Sequence, residues 1–252
     1  RATGEAGITP AEWPPPDRLG VSGGRPPAGF PRPVPIGVST GHPNVTAGTI
    51  GARTTDGSRV YALSNNHVLA NNNGAQRGDN FLQPGVVDGG RNPDDALGTL
   101  HDFETIEFCG SLGCPLNRLD AALALTSPEK LGTSTPDGGY GSPRSAPLDA
   151  ALGMRVQKYG RTTGLTVGRI TGINATLDVA YRSGTARFTG QIVISGDGFS
   201  TGGDSGSLIV SKGLLMADRR PVGLLFAGTA TSTVANPIQL VLDRFGVSID
   251  GG

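Results

Sequence analysis

The run Gly202-Gly203-Asp204-Ser205-Gly206-Ser207, followed by Leu208-Ile209-Val210, sets a serine between glycines just ahead of an apolar strand. A nucleophilic serine needs an exposed hydroxyl and backbone N–H groups aimed at the oxyanion that forms on attack. Glycines on both sides permit unusual dihedrals and let a substrate approach the backbone. The bland alternative is a Gly-rich turn before a strand, which a chain with 41 glycines would produce several times.

Such a serine also needs a general base that is neutral near pH 7 and held in one tautomer. The chain has three histidines. His67 lies in Leu63-Ser64-Asn65-Asn66-His67-Val68-Leu69-Ala70, ending a strand and preceding an apolar pair, whereas His42 and His101 have no comparable setting. The segment Leu119-Asp120-Ala121-Ala122-Leu123-Ala124-Leu125 opens an apolar strand with a carboxylate. Burying that group is costly unless something pairs with it, and holding the N–H of a catalytic imidazole is one such use. A surface carboxylate capping the strand is the alternative. Asp94, Asp95 and Asp102 are rivals in Gly/Pro-rich or polar surroundings, and they rank below Asp120.

These residues require a scaffold of many short strands. The chain has 252 residues, enough for one large all-β domain or two small ones. Its 41 glycines and 19 prolines punctuate β-branched runs. Strand signals fall at Thr46 to Ala52, Val60 to Ser64, Gly98 to Phe103 and Asp120 to Leu125. They resume at Arg155 to Tyr159, Leu165 to Ile173, Ala175 to Tyr181, Gln191 to Ser195, Ser207 to Val210 and Val222 to Phe226. One helix is expected at Pro237 to Phe245, with Pro at its start, apolar residues at helical spacing and Gly246 as its stop. The organisation read from this is a Pro/Gly-rich N-terminal arm at 1–35, a first β-barrel at 36–128, a connector at 129–150, and a second β-barrel with the C-terminal helix at 151–252. In the arm, Trp13 is the one tryptophan of the chain and is expected to anchor the arm in a surface groove.

Lys plus Arg and Asp plus Glu number 21 each, so no basic surface points to nucleic acid. No apolar run approaches the roughly 20 residues of a membrane-spanning helix, so no membrane partner is expected. The chain begins at Arg1 without an apolar leader and reads as a mature or trimmed form. Cys109 and Cys114 flank Gly-Ser-Leu-Gly, which would let the chain fold back into a local disulfide; two buried free thiols are the other reading. A disulfide would favour an exported, secreted protein.

The three motifs together are more specific than any one of them. The order His67, Asp120, Ser205 resembles the chymotrypsin-like serine peptidases; subtilisins and α/β-hydrolases order the same residue types differently. Asn66-His67-Val68, Asp120-Ala121-Ala122-Leu123 and Gly203-Asp204-Ser205-Gly206 resemble that family's three motifs over about residues 45 to 250. The stretch from Lys158 to Gly164, followed by Thr166-Val167-Gly168-Arg169-Ile170, is similar to the start of the second barrel in bacterial secreted members. The resemblance implies an all-β fold of two packed six-stranded Greek-key barrels, peptide-bond hydrolysis without a cofactor or metal, and a protein or peptide substrate. It also implies an oxyanion hole at Gly203 and Ser205, and a pair between Arg161 and Asp204 that supports the site. Substrate contacts would come from Phe199, Ser200, Phe226, Ala227 and Gly228.

The chain departs from the family in three places. Ser207 replaces the usual second glycine after the serine. Leu225-Phe226-Ala227-Gly228 stands where the family often has Ser, an aromatic or small residue, then Gly. Phe199 occupies the position that is acidic in trypsin, which argues against Lys or Arg before the cut, although Asp197 lies two residues away. No histidine follows residue 101, which argues against a Glu-specific branch. An inactive relative that serves as a peptide-binding module is the competing reading, and an esterase or a chance coincidence of motifs is a more distant one.

Overall fold

Pairing between β-rich runs builds two large sheets and a two-stranded one in the structure, a computed structural model that describes residues 8–10, 29–213 and 218–252. Trp13 and most of the Pro-rich arm lie outside the described residues. Three two-residue strands come first: β1 (Thr9–Pro10), β2 (Ser39–Thr40) and β3 (Gly48–Thr49). The first half then supplies β4 (Ala52–Thr55), β5 (Val60–Ser64), β6 (Asn80–Leu82), β7 (Ala96–Phe103), β8 (Leu116–Asn117) and β9 (Ala122–Thr126). The second half supplies β10 (Arg155–Gly160), β11 (Gly164–Tyr181), β12 (Gly184–Ser195), β13 (Leu208–Ser211), β14 (Pro221–Gly228), β15 (Ser232–Pro237) and the terminal β16 (Ser248–Ile249). Among the described residues two α-helices complete the set, α1 (Asn66–Leu69) and α2 (Ile238–Phe245).

The first sheet has six strands in the order β16-β4-β5-β9-β7-β6, so the C-terminus returns to the half from which the chain set out. In the second sheet β10 to β15 close into a ring, because β14 pairs with β15 as well as with β13, and β1 and β8 are added at its margins. Closure removes exposed edges from a β-rich chain. This is the all-β, two-barrel fold with a C-terminal helix that the motifs imply. The two long strands β11 and β12 form a hairpin that runs to Tyr181 and Gly184. The periodicity divides β11 at Asn174, where the structure instead continues one strand through register shifts between Gly172, Ala175 and Leu177. Helix α2 matches expectation: Gly246 closes it at φ 64°, and Ile238, Val241 and Leu242 are buried against the core of the first half.

Two strand registers place the chemistry. Ser64 of β5 lies opposite Ala122 of β9, so the residues leaving β5 meet those entering β9. Leu208 of β13 lies opposite Leu224 of β14, so the turn before β13 lies against Leu225 and Phe226.

Candidate active site

His67 does not end a strand; it sits in α1, one helical turn directly after β5. That turn brings its ring against Asp120, two residues ahead of β9. The imidazole Nδ1 and Asp120 Oδ2 are 2.6 Å apart, and the backbone N–H of His67 donates to Asp120 Oδ1 at 3.2 Å. A third donor was not legible in the sequence: the hydroxyl of Tyr181 donates to Asp120 Oδ2 at 2.8 Å. Asp120 is fully buried, and three donors answer the desolvation cost of its charge. Its backbone is fixed as well, since the Asn65 amide donates to the Asp120 carbonyl at 2.7 Å and the Asp120 N–H donates to Asn236 Oδ1 at 3.0 Å.

Ser205 approaches from the second half. Its hydroxyl donates to the carbonyl of Phe226 at 3.4 Å, and its carbonyl accepts from the N–H of Thr49 at 2.7 Å. Gly48 separates the two halves of the site. A Cβ there would stand 3.0 Å from the Ser205 carbonyl oxygen and closer still to Val68, the neighbour of His67. Ser205 itself is only 1% exposed, so the hydroxyl is covered where the sequence suggests exposure.

The turn around Ser205 is pinned by its carbonyls. Thr162 Oγ1 donates to Gly202 O at 2.7 Å, and Asp204 O accepts from the N–H of Ser207 at 3.0 Å and its hydroxyl at 2.6 Å. In a trans peptide the N–H points opposite to the carbonyl, so these bonds turn the N–H groups of Gly203 and Ser205 the other way, out of the turn. The N–H groups of Asp204 and Gly206 stay within the fold, donating to Thr201 O at 3.1 Å and Leu225 O at 2.8 Å. Gly203 and Gly206 both hold φ near 92°, a region that other residues enter only with strain. Ser207, the departure from a glycine, thus supplies two of the bonds that shape the turn.

The support beneath the turn differs from the one expected. Arg161 does not hold Asp204; its guanidinium makes a bidentate pair with Asp88, with Nε 2.8 Å from Oδ2 and the second nitrogen on Oδ1. The ion-pair partner of Asp204 is Lys158, 3.4 Å away, and both side chains are fully buried. Lys158 lies within β10, whose pairing with β13 carries it under the turn, whereas Arg161 has already left the strand. Burial pulls the Lys158 pKa down from its usual value, while Asp204 pushes it back up. Asp204 also accepts from the N–H groups of Thr162, Thr163 and Thr201 at 2.9, 3.2 and 3.0 Å. Thr49 joins the halves: its hydroxyl donates to Gly203 O at 2.8 Å, and its carbonyl accepts from Ser64 at 2.8 Å.

Of the residues expected to line a specificity pocket, Phe199 is elsewhere. Its ring is buried in the core of the second half with Val156, Ile170 and Ile194, so it serves packing. Its neighbour Ser200 is partly exposed and bonded to Thr233 at 2.5 Å, while Asp197 is exposed. Phe226 is buried against Phe188 and offers its carbonyl; Ala227 and Gly228 continue the same strand. The rival groups have other partners. His42 contacts Asp79 at 3.2 Å, His101 stacks near Tyr61, and Asp102 is bonded to Arg77 and Arg244. Asp95 holds the N–H of Arg91 at 2.8 Å. Cys109 and Cys114 form a disulfide.

The Nal1 C-terminal domain family matches residues 143–239, less than half of the chain. No curated protein matches its sequence. Among solved structures, Thermobifida fusca protease A aligns at 20% identity with TM-score 0.62, covering 87% of this chain and 100% of that one. A Cellulomonas bogoriensis chymotrypsin aligns at 18% identity and TM-score 0.59, over 87% of this chain and 99% of its own. A Nocardiopsis protease does so at 18% identity and TM-score 0.59, over 86% and 99%. The likeness establishes a chymotrypsin-like fold.

Proposed function

We propose that this chain, whose fold is that of the chymotrypsin-like serine proteases, is a serine endopeptidase acting through an acyl-enzyme. The observation that carries the reading is Asp120, a buried carboxylate holding His67 Nδ1 at 2.6 Å in the first half, while the Thr49 N–H bond to the Ser205 carbonyl ties Ser205 of the second half to the first. In this mechanism Ser205 Oγ attacks the scissile carbonyl and His67 Nε2, at the far edge of the ring from Asp120, takes the proton and returns it to the leaving amine. Asp120 fixes the tautomer and stabilises the imidazolium. The outward N–H groups of Gly203 and Ser205 receive the oxyanion, each contributing on the order of 3 kcal/mol to the transition state. Lys158, Asp204, Thr162 and Ser207 are positioning residues for that turn. Ser200, bonded to Thr233 and lying beside Gly228, is the neutral group we place at the specificity pocket, and its lack of charge would disfavour Lys or Arg before the cut. The Cys109–Cys114 disulfide supports a secreted protein, because reducing compartments keep such thiols apart.

An inactive peptide-binding module is the second reading, favoured by the 1% exposure of Ser205. A fluorophosphonate probe separates the two. The peptidase reading expects labelling of the folded protein that disappears in Ser205→Ala and His67→Ala, and a folded protein that never labels would refute it.

A further inference from the structure

The margin of β14 nearest Ser205 is already occupied, and its occupant is this chain's own N-terminal segment. Along that margin, β13 pairs with Pro221 to Leu224, and the nucleophile turn then takes Leu225 and Phe226. Beyond them β1 pairs antiparallel with β14, Pro10 opposite Ala227 and Thr9 opposite Gly228. The segment is held on its other side as well. Ile8 bridges to Val179 of β11, and its carbonyl accepts the N–H of Ala180 at 2.9 Å. The Ile8 side chain packs on the apolar cluster that contains Val179, Phe188 and Phe226.

Three features make this contact resemble a bound peptide more than an ordinary sheet strand. It lies on the stretch of β14 that leads directly to the carbonyl bonded by Ser205. Its polarity is that of a peptide whose later residues approach Ser205, since Pro10 is nearer to Phe226 than Thr9 is. Proline has no N–H, so it suits the non-hydrogen-bonded pair of an antiparallel ladder, leaving Thr9 and Gly228 as the pair that exchanges bonds. Main-chain pairing at a strand margin is a general mode of peptide capture.

We infer that Ile8-Thr9-Pro10 is an intramolecular stand-in for peptide substrate, which occupies the peptide-binding margin of β14 and holds the enzyme self-occluded. The inference rests on the peptidase reading above and adds its regulation. A tethered segment competes at an effective concentration on the order of millimolar, so free substrate must displace it. The 1% exposure of Ser205 fits a closed site. The ligand class is an extended peptide with an apolar residue two positions before a proline.

The test uses the full chain as wild type, Ile8→Asp and Thr9→Pro. Ile8→Asp puts a charge into the apolar cluster, and Thr9→Pro removes the N–H at the exchanging pair. Both variants should lower KM for a peptide substrate extending four residues before the cut by about tenfold, with kcat within twofold. Both should also speed fluorophosphonate labelling of Ser205 by a similar factor. The peptide Ala-Gly-Ile-Thr-Pro-Ala added to the Ile8→Asp protein should inhibit competitively. If Ser205 labels equally fast in all three proteins and KM is unchanged, self-occlusion is wrong while the peptidase reading stands. If none of the three labels, the peptidase reading fails and takes this inference with it.

Discussion

The hydroxyl of Tyr181 is the feature of this site least expected from the sequence, and Tyr181→Phe isolates it. The substitution removes one of three donors to Asp120 and keeps the ring among Phe108, Phe188 and His67. A hydrogen bond to a charged group contributes about 1.5–3 kcal/mol, and the carboxylate that loses it stays fully buried. The expected cost is therefore about 2 kcal/mol of folding stability, equivalent to about 4–8 °C in Tm for a chain of this size. Urea unfolding measures it directly. The charge is the cause, so the same change made in an Asp120→Asn background should cost at least about 1 kcal/mol less, which a double-mutant cycle reads as coupling. Activity should fall by less than the loss of Asp120 itself brings, because two donors still orient the carboxylate. A cost within 0.5 kcal/mol of zero, or an equal cost in both backgrounds, would show that the Tyr181–Asp120 bond does not support the buried charge.

Asp120→Asn should lower kcat by on the order of 10⁴-fold, while Asp102→Asn should leave it within twofold; initial rates on one peptide decide, and an unaffected Asp120→Asn would transfer the role elsewhere. Thr162→Val frees the Gly202 carbonyl, so kcat should drop about tenfold or more with KM little changed, as expected for a group acting only on the transition state. Lys158→Met strands Asp204 and should cost about 3–5 kcal/mol in urea unfolding, whereas Arg161→Met leaves the Lys158–Asp204 pair intact. Burial holds the Lys158 pKa below its unfolded value, so the unfolded chain binds more protons in the alkaline window between the two. Wild-type stability relative to Lys158→Met should therefore rise with pH toward about 10.4.

Local signals recovered what local chemistry decides. Val60–Ser64 and α2 were legible because turn residues and caps bound them on both sides. Asp120 was legible because an unpaired charge at the head of an apolar strand needs an explanation. Tyr181 was not, for it reaches Asp120 only through the β11–β12 hairpin, and residue types 61 positions apart carry no shared pattern. The Lys158–Asp204 pair was missed for a similar reason. Strand pairing between β10 and β13 selects Lys158, while the family resemblance pointed to Arg161, which Asp88 claims from the single turn of 3₁₀ helix at Val86–Asp88. Phe199 shows the limit of counting along a loop, since a position matched by spacing can face the core when the loop ends differ.

The central claim is covalent chemistry at Ser205, and trapping the intermediate tests it most directly. A peptide ester mixed with the enzyme and quenched in acid within the first turnover should leave one acyl group, which peptide mapping by mass spectrometry places on Ser205. Ser205→Ala should carry none. Turnover without any acyl-enzyme, or an acyl group on another residue, would contradict the account.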